Sequence, residues 1–311
     1  MKAKRNFLIL TLLRACKNNR LLQISLLSTI YLSFAFSQDI SIVTGMNILR
    51  KSYPEVSFVQ FYDEGVDDYR IEITVEERVS VLYWAGGRML PKSELNNKNK
   101  YWPILYSYPK ELDNPSDLTE EQIERIKEFG STENRKNGAG APMFFFDAIY
   151  DSSTRGKLES HLKKTSFLGR NTTVHELIVP QLKKVEKRIR EAEKTDESIK
   201  AFIQEMKSAE AYYWRIIAGT NRKSFHSLGI AIDIQPKKLN GKEIYWGWAK
   251  DRRPEDWMLV SLEDRWLPPQ KVIDIFEEEG FIWGGKWTIF DNMHFEYHPE
   301  LIEYNFNTEY Y

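Results

Sequence analysis

Alternating polar and apolar residues predict β-structure in the first third of the chain. Within residues 57–77, an apolar and aromatic run precedes an Asp-Glu-Gly turn at 63–65 and an alternating run follows it, an arrangement typical of a β-hairpin. Residues 81–84 predict a further short strand, which a Gly-Gly pair closes. The Asn-, Lys- and Pro-rich residues 91–116 are then expected to form a loop.

The next stretch carries a helix-start signal. Thr119 and Gln122 form a capping-box pattern, which predicts a helix that begins here and runs to Gly130. Residues 131–142, which include Asn-Gly-Ala-Gly, are expected to be a flexible connector. This part of the chain therefore predicts one short helix between two irregular segments.

From about Met143 to Lys207 the pattern is mainly helical. Asp196 interrupts the run and is expected to cap a second helix. Charged residues fill the opposite face of the first helix, as on a solvated surface. Its apolar residues recur at spacings of two to four: Leu177, Val179, Leu182, Val185 and Ile189.

The second half changes from long helices to short strands and turns. Residues 230–234 alternate as a strand, with three isoleucines on one face and Ala231 and Asp233 on the other. A second strand would place His294, Glu296 and His298 on one face. Between the two strands, the segment 268–280 begins with Pro-Pro, ends with Gly and predicts a helix.

Composition also shifts near residue 205. The chain has 311 residues, which suggests about two domains. Seven of its nine tryptophans lie beyond residue 205. We therefore expect a helix-rich accessory region at 38–204, with the short β-hairpin near its start, and a chemical domain at 205–311.

Residues 1–37 resemble a targeting segment rather than part of the fold. Residues 1–20 carry six basic side chains and no acid, and a mostly apolar run from Leu21 to Phe36 follows. A signal peptide cleaved before Gln38 is the first interpretation, an uncleaved membrane anchor is the second, and a lipoprotein modified at Cys16 is a weaker third. The protein is expected to be periplasmic or secreted, and to contact a membrane only through an uncleaved N-terminal segment.

Charge and cysteine content exclude several classes of function. The net charge of −1 gives no indication of nucleic-acid binding. A single cysteine rules out a disulfide framework and a cysteine-based zinc cluster. Any metal must therefore be held by histidine, aspartate or glutamate side chains.

Two segments contain residues that suit such a site. His226 precedes a turn at Gly229, which can bring its imidazole near Asp233 on the following strand. With His294, these residues would supply two nitrogens and one carboxylate oxygen, leaving the fourth zinc position to water. A further carboxylate must accept the proton of that water, and Asp291 and Glu296 both lie nearby in the sequence. From spacing alone, an alternative remains. His226 and His294 would then be half-buried histidines with hydrogen bonds inside the protein, and Asp233 would be a carboxylate in a turn.

The two segments also match known motifs. Ser-x-His-x-x-Gly-x-Ala-x-Asp at 224–233 and Asp-x-x-His-Phe-Glu at 291–296 resemble the zinc-dependent D-alanyl-D-alanine carboxypeptidases. They are even more similar to the VanY-type and L-alanyl-D-glutamate endopeptidases, which cut the peptides of bacterial cell walls. The resemblance covers about residues 205–303. It implies an α+β fold whose C-terminal domain is a small antiparallel sheet flanked by helices.

The resemblance also implies roles for individual residues. Zn²⁺ would be held by His226, Asp233 and His294, with Asp291 as general base. Independently of the resemblance, Glu296 shares its predicted strand face with His294, so it would either orient that ligand through a hydrogen bond or be a surface carboxylate. The substrates would be peptidoglycan stem peptides, cut by a D,D-carboxypeptidase or an L-alanyl-D-glutamate-type endopeptidase activity.

The residue that grips the substrate is not fixed by the motifs. Relatives carry an arginine upstream of the first motif, within a Ser-Gly-Tyr-Arg-Ser stretch that this chain lacks. Arg215, placed on an expected strand, is the first substitute and Arg222 the second. Ser224 would either bind substrate or stabilise the turn.

A non-catalytic zinc-stabilised binding module, as in the Hedgehog signalling domain, is the rival function. An acid at position 291 argues for catalysis instead.

Overall fold

A computed structural model describes residues 40–307 of the chain. Contacts group these described residues into one compact unit. The expected targeting segment at 1–37, with Cys16, lies outside the described residues. Within residues 40–307, none of the helices combines the length and apolarity needed to cross a bilayer.

The described chain begins with a helix and a small sheet. Helix α1 (Ile42–Ser52) is followed by strands β1 (Ser57–Asp63), β2 (Asp68–Val75) and β3 (Arg78–Tyr83). The strands form an antiparallel sheet in the order β1-β2-β3. The predicted hairpin and the further strand are therefore confirmed, although β3 begins three residues earlier than expected.

Short helices fill the segment that was expected to be mostly irregular. A 3₁₀ helix covers Lys92–Lys100, inside the predicted loop. Helix α2 (Glu120–Phe129) has the predicted capping box, with both reciprocal hydrogen bonds present. The expected flexible connector contains helix α3 (Thr132–Asn137), because the Ser131 side chain accepts a hydrogen bond from the Asn134 N–H and caps it.

The helical prediction for 143–207 is wrong in its middle part. Helices α4 (Met143–Tyr150) and α5 (Arg155–Glu159) are followed by a hairpin of β4 (Leu162–Phe167) and β5 (Arg170–His175). Its two turn residues both have positive φ, and the strands are rich in β-branched threonine. Turn chemistry and β-propensity outweigh the flanking helical pattern there.

Two amphipathic helices complete this half. Helix α6 (Val179–Ala192) buries Leu182, Val185 and Ile189, as its spacing predicts. Helix α7 (Glu197–Glu205) begins where the Asp196 carboxylate accepts hydrogen bonds from two backbone N–H groups, which confirms the predicted cap.

The C-terminal half is built on a second antiparallel sheet. Its strands are β6 (Met206–Glu210), β7 (Ala231–Pro236), β8 (Phe281–Trp283) and β9 (His294–Tyr297), in the order β6-β7-β9-β8. Three helices accompany them: α8 (Trp246–Arg252), α9 (Gln270–Glu278) and α10 (Pro299–Phe306). The predicted α+β class is confirmed. The closer likeness of this sheet to the D,D-peptidase and Hedgehog folds stays a prediction.

One apolar core joins the two halves. It contains residues from α1, such as Met46, and residues from β9, such as Phe295, both with no exposed surface. Helix α10 packs against α1 as well as against β8. The division of function at residue 205 stays a prediction, but the N-terminal half contributes directly to the packing behind the C-terminal sheet.

Candidate metal centre

The first candidate ligand, His226, is held by a tight turn. Residues 225–228 form one 3₁₀ turn, and the Ser224 hydroxyl accepts a hydrogen bond from the His226 N–H at 3.3 Å. Gly229 ends the turn with φ +68°, and a Cβ there would lie 2.8 Å from the backbone nitrogen of His175. That nitrogen donates to the Gly229 carbonyl, so the turn is fastened to β5. Only glycine meets both demands.

The other two candidate ligands are direct neighbours in the sheet. Asp233 on β7 pairs with His294 on β9 in the antiparallel register. Ile232 and Ile234 are completely buried, whereas Asp233 is partly exposed. The alternation predicted for this strand therefore places the carboxylate where His226 and His294 can reach it.

The three side chains converge on one point. His294 Nδ1 lies 2.7 Å from Asp233 Oδ1, and His226 Nε2 lies 3.2 Å from each of these two atoms. Ligand atoms around a tetrahedral zinc ion, with bonds of about 2.0–2.1 Å, lie roughly 3.3 Å apart. The donor set and its spacing therefore fit a zinc ion after a small outward movement.

Hydrogen bonds behind the ligands fix which ring nitrogens face the centre. His226 Nδ1–H donates to the Ala211 carbonyl at 2.6 Å, and His294 Nε2–H donates to Glu296 Oε1 at 2.8 Å. Burial lowers the pKa of His294, but hydrogen bonds to Asp233 and Glu296 outweigh it and raise that pKa well above its usual value. Such backing is typical of metal-binding histidines.

Asp291 lies next to this cluster, and its carboxylate lacks hydrogen bonds within residues 40–307. Its Oδ1 is buried and has no hydrogen-bond partner among the described residues. Burial, helped by the charges of Asp233 and Glu296, raises the pKa of Asp291 to about 7, although the charges of His294 and Arg215 oppose the shift. The Asp291 N–H donates to the Gly284 carbonyl at 3.0 Å, which anchors the loop.

Glu296, the other acid left open by the sequence, is engaged on both sides. Its two oxygens lie within hydrogen-bonding distance of His294 and His298. Burial raises its pKa, but those two histidines outweigh burial and lower it to about 2. Glu296 is therefore placed to hold His294, and Asp291 is the carboxylate free to take up a proton.

Arg215 lies at the edge of the site on a loop, so the strand expected for it is wrong. Its backbone N–H donates to the Ser227 hydroxyl, which donates in turn to the Arg215 carbonyl. The guanidinium is exposed, and no carboxylate within residues 40–307 forms an ion pair with it. Burial and the charge of Asp291 raise the pKa of the nearby Tyr245, and the charges of Arg135 and Arg215 oppose that shift.

Arg222, the second arginine considered, is committed elsewhere. It donates to the backbone carbonyls of Arg135 and Ala139, and its guanidinium lies over the Trp102 ring. Burial lowers the pKa of Arg222. Its contacts hold the segment after α3 in place and leave Arg215 as the available cation.

The sequence leaves two roles open for Ser224, and it leaves Trp283 and Trp287, which flank a Gly-Gly turn before Asp291, as either core or cleft-lining residues. The Ser224 hydroxyl is buried and caps the His226 turn, so binding to substrate stays a prediction. Trp283 belongs to the core and has no exposed surface. Trp287 is partly exposed, and its ring centre lies 5.4 Å from that of His294. Only Trp287 therefore lines the site.

Two neighbours of the site were not found from the sequence. A three-ligand site is complete without His298, so the sequence favours a surface or a structural role for it; the structure buries His298 and bonds it to Glu296, which excludes the surface position. Tyr245 forms an isolated bridge with Asp291 and carries no motif that marks it. The strand face shared by His294, Glu296 and His298 is the sequence signal that points to His298.

Comparisons with known protein families match two segments of the chain. Residues 45–106 match a family model described as a domain of unknown function. No curated protein and no solved structure matches the chain. Residues 218–297, which contain all three candidate ligands and Asp291, match the model of the D-alanyl-D-alanine carboxypeptidase family, whose members are zinc-dependent peptidases.

Proposed function

We propose that the protein is a zinc-dependent peptidase that hydrolyses peptide bonds of bacterial peptidoglycan. The observation that carries this proposal is the convergence of two imidazoles and one carboxylate beside a second carboxylate, Asp291, that has a buried oxygen without a partner. A zinc ion held only for structure needs no free acid next to it. The match of residues 218–297 to a cell-wall peptidase family supports the same reaction class.

The chemistry is divided between the bound group and the chain. A zinc ion on His226, Asp233 and His294 would lower the pKa of a water molecule and polarise the scissile carbonyl. Asp291 would accept the proton released when that water attacks, and would then return it to the departing amine. Burial makes the Asp291 carboxylate a stronger base than an exposed aspartate, which suits this role.

Arg215 supports a preference for substrates that carry a carboxylate. Its guanidinium is exposed and has no carboxylate partner within the described residues, and Ser227 fixes its backbone next to the His226 turn. A guanidinium binds a carboxylate through two parallel hydrogen bonds. Stem peptides offer such carboxylates at their D-amino-acid ends, whether the bond cut is of the D-alanyl-D-alanine or the L-alanyl-D-glutamate type.

The decisive experiment separates metal binding from catalysis. Purified protein is incubated with defined muropeptides, with and without a chelator, and products are identified by mass spectrometry. We expect Asp291→Asn to keep its zinc and to lose at least roughly 100-fold in rate. The exposed Asp251→Asn is the matched control and should cleave normally. Cleavage that persists in the chelator, or in Asp291→Asn, would contradict the mechanism.

We also propose that the protein is exported, since its substrate lies outside the cytoplasm. The basic and apolar residues 1–37 support this proposal. Fractionation of cells that produce the full chain, followed by N-terminal sequencing, tests it. A start at Gln38 in the exported fraction indicates a cleaved signal, and an intact N-terminus in the membrane fraction indicates an anchor.

A further inference from the structure

A continuous series of hydrogen bonds leads away from the candidate metal centre. Beyond His294, Glu296 Oε2 lies 3.2 Å from His298 Nε2, and His298 Nδ1 lies 2.7 Å from Glu300 Oε1. The Tyr53 hydroxyl donates to the other oxygen of Glu300 at 2.6 Å. We call these five side chains the buried polar chain: His294, Glu296, His298, Glu300 and Tyr53.

The buried polar chain has little contact with solvent along its whole length. All five residues are less than a tenth exposed, and Glu300 has no exposed surface. The rings of Phe146 and Phe225 pack edge-on against His298, with centre distances of 5.3 and 4.7 Å. A hydrogen bond lost here is therefore not replaced by solvent, and the group left behind carries the full cost of desolvation.

The order of donors and acceptors in the buried polar chain is fixed. Both ring nitrogens of His298 face carboxylate oxygens, so both carry hydrogen and the ring is positively charged. Negative Glu296 and Glu300 thus flank a cation, and Tyr53 supplies the remaining donor to Glu300. Because each group constrains the next, the position of Glu296 next to His294 depends on Tyr53, at the far end of the buried polar chain.

The far end belongs to a different part of the protein. Tyr53 follows helix α1 and lies within residues 45–106, which match a domain of unknown function, whereas the other four residues lie beyond 290. Helices α1 and α10 pack against each other, which brings the Tyr53 hydroxyl to Glu300. We propose that Tyr53 is a positioning residue of the metal centre and acts on His294 through the buried polar chain. This inference rests on the metal site of the proposed function.

The expected loss of zinc affinity depends on how many side chains of the buried polar chain separate Tyr53 from His294. Removing a partner directly behind a metal ligand typically weakens metal binding by roughly 10- to 100-fold. Tyr53 acts through three intervening side chains, so we expect a smaller loss, roughly 3- to 10-fold in zinc affinity for Tyr53→Phe. The ring stays in the core, so the variant removes one hydroxyl and little packing.

A second buried tyrosine provides a matched control. The Tyr108 hydroxyl donates to the buried Glu277, which also binds Lys286, and none of these residues belongs to the buried polar chain. Tyr108→Phe therefore removes the same kind of tyrosine–carboxylate hydrogen bond, together with the bond that this hydroxyl accepts from the Trp283 N–H. Both variants should lower the free energy of unfolding, but only Tyr53→Phe should weaken zinc binding.

The test is a chelator competition that measures the zinc dissociation constant of the full chain and its variants, with urea unfolding in parallel. We expect a weaker constant for Tyr53→Phe and for Glu300→Gln, which keeps the size of the side chain but removes its charge. Equal constants for Tyr53→Phe and Tyr108→Phe would overturn the inference while leaving the peptidase proposal intact. Failure of the unaltered chain to bind zinc would overturn both.

Discussion

Asp233 and His294 lie directly opposite each other on β7 and β9, with Oδ1 and Nδ1 2.7 Å apart. Two residues 61 positions apart in the sequence thus become a pre-arranged pair through strand register alone. A shift of one residue in that register would turn one of them to the opposite face of the sheet. The integrity of the sheet is therefore a condition for the metal centre.

The turn that carries His226 is expected to depend on Gly229. Gly229→Ala must hold φ +68° with a Cβ 2.8 Å from a backbone nitrogen of β5. We expect a loss of roughly 1–3 kcal/mol in the free energy of unfolding, measured in urea. Gly219→Ala is the control, because Gly219 has φ +72° but nothing within 4 Å of its Cβ position. Equal losses in both variants would show that the close approach to β5 has no effect.

Stability is expected to fall in mild acid because of His175. Its Nδ1 accepts from the Leu177 N–H and its Nε2–H donates to the Tyr150 carbonyl, so the folded state holds it neutral. Burial lowers the pKa of His175 from 6.5 to about 4, and the nearby His161 adds to the shift.

Protonation of His175 lowers the free energy of unfolding as the pH falls. Below pH 6.5 His175 becomes protonated in the unfolded state, whereas in the folded state it stays neutral down to about pH 4. Acid therefore favours unfolding. We expect His175 to account for up to about 3 kcal/mol of the loss across that interval. Urea unfolding at several pH values checks this, and His175→Gln should flatten the slope. An unchanged slope in that variant would contradict the assignment.

Arg215 is expected to act on substrate binding rather than on stability. Arg215→Ala removes an exposed guanidinium with no carboxylate partner in the described chain, so the free energy of unfolding should barely change. Loss of a charged hydrogen-bonded pair should raise KM roughly 10- to 100-fold for substrates with a free carboxylate. Arg222→Ala should instead lower stability, because Arg222 binds two backbone carbonyls. A normal KM in Arg215→Ala would contradict its role.

The sequence predicts elements well where one local rule dominates. The alternation at 57–77 and the capping box at Thr119 gave the correct strands and helix, because pattern and cap chemistry agree there. It fails at 162–175, where an apolar pattern compatible with a helix is overridden by a two-residue turn with positive φ at Leu168 and Gly169.

The candidate site shows the same limit. Motif residues bring His226, Asp233 and His294 together as expected, since each lies on an element whose local pattern is strong. The contacts of Tyr53 and Tyr245 with this region depend on packing between distant segments, and no local spacing encodes them. Long-range contacts of single side chains are therefore what a lone sequence leaves out.

The central claim is that three residues from two separate segments bind one zinc ion beside an acid that does not bind it. Zinc content after equilibrium dialysis, measured on the unaltered chain, His294→Ala and Asp291→Asn, tests it most directly. We expect one zinc per chain in the unaltered protein and in Asp291→Asn, and almost none in His294→Ala. Zinc retained in His294→Ala, or absent from the unaltered chain, would contradict the account.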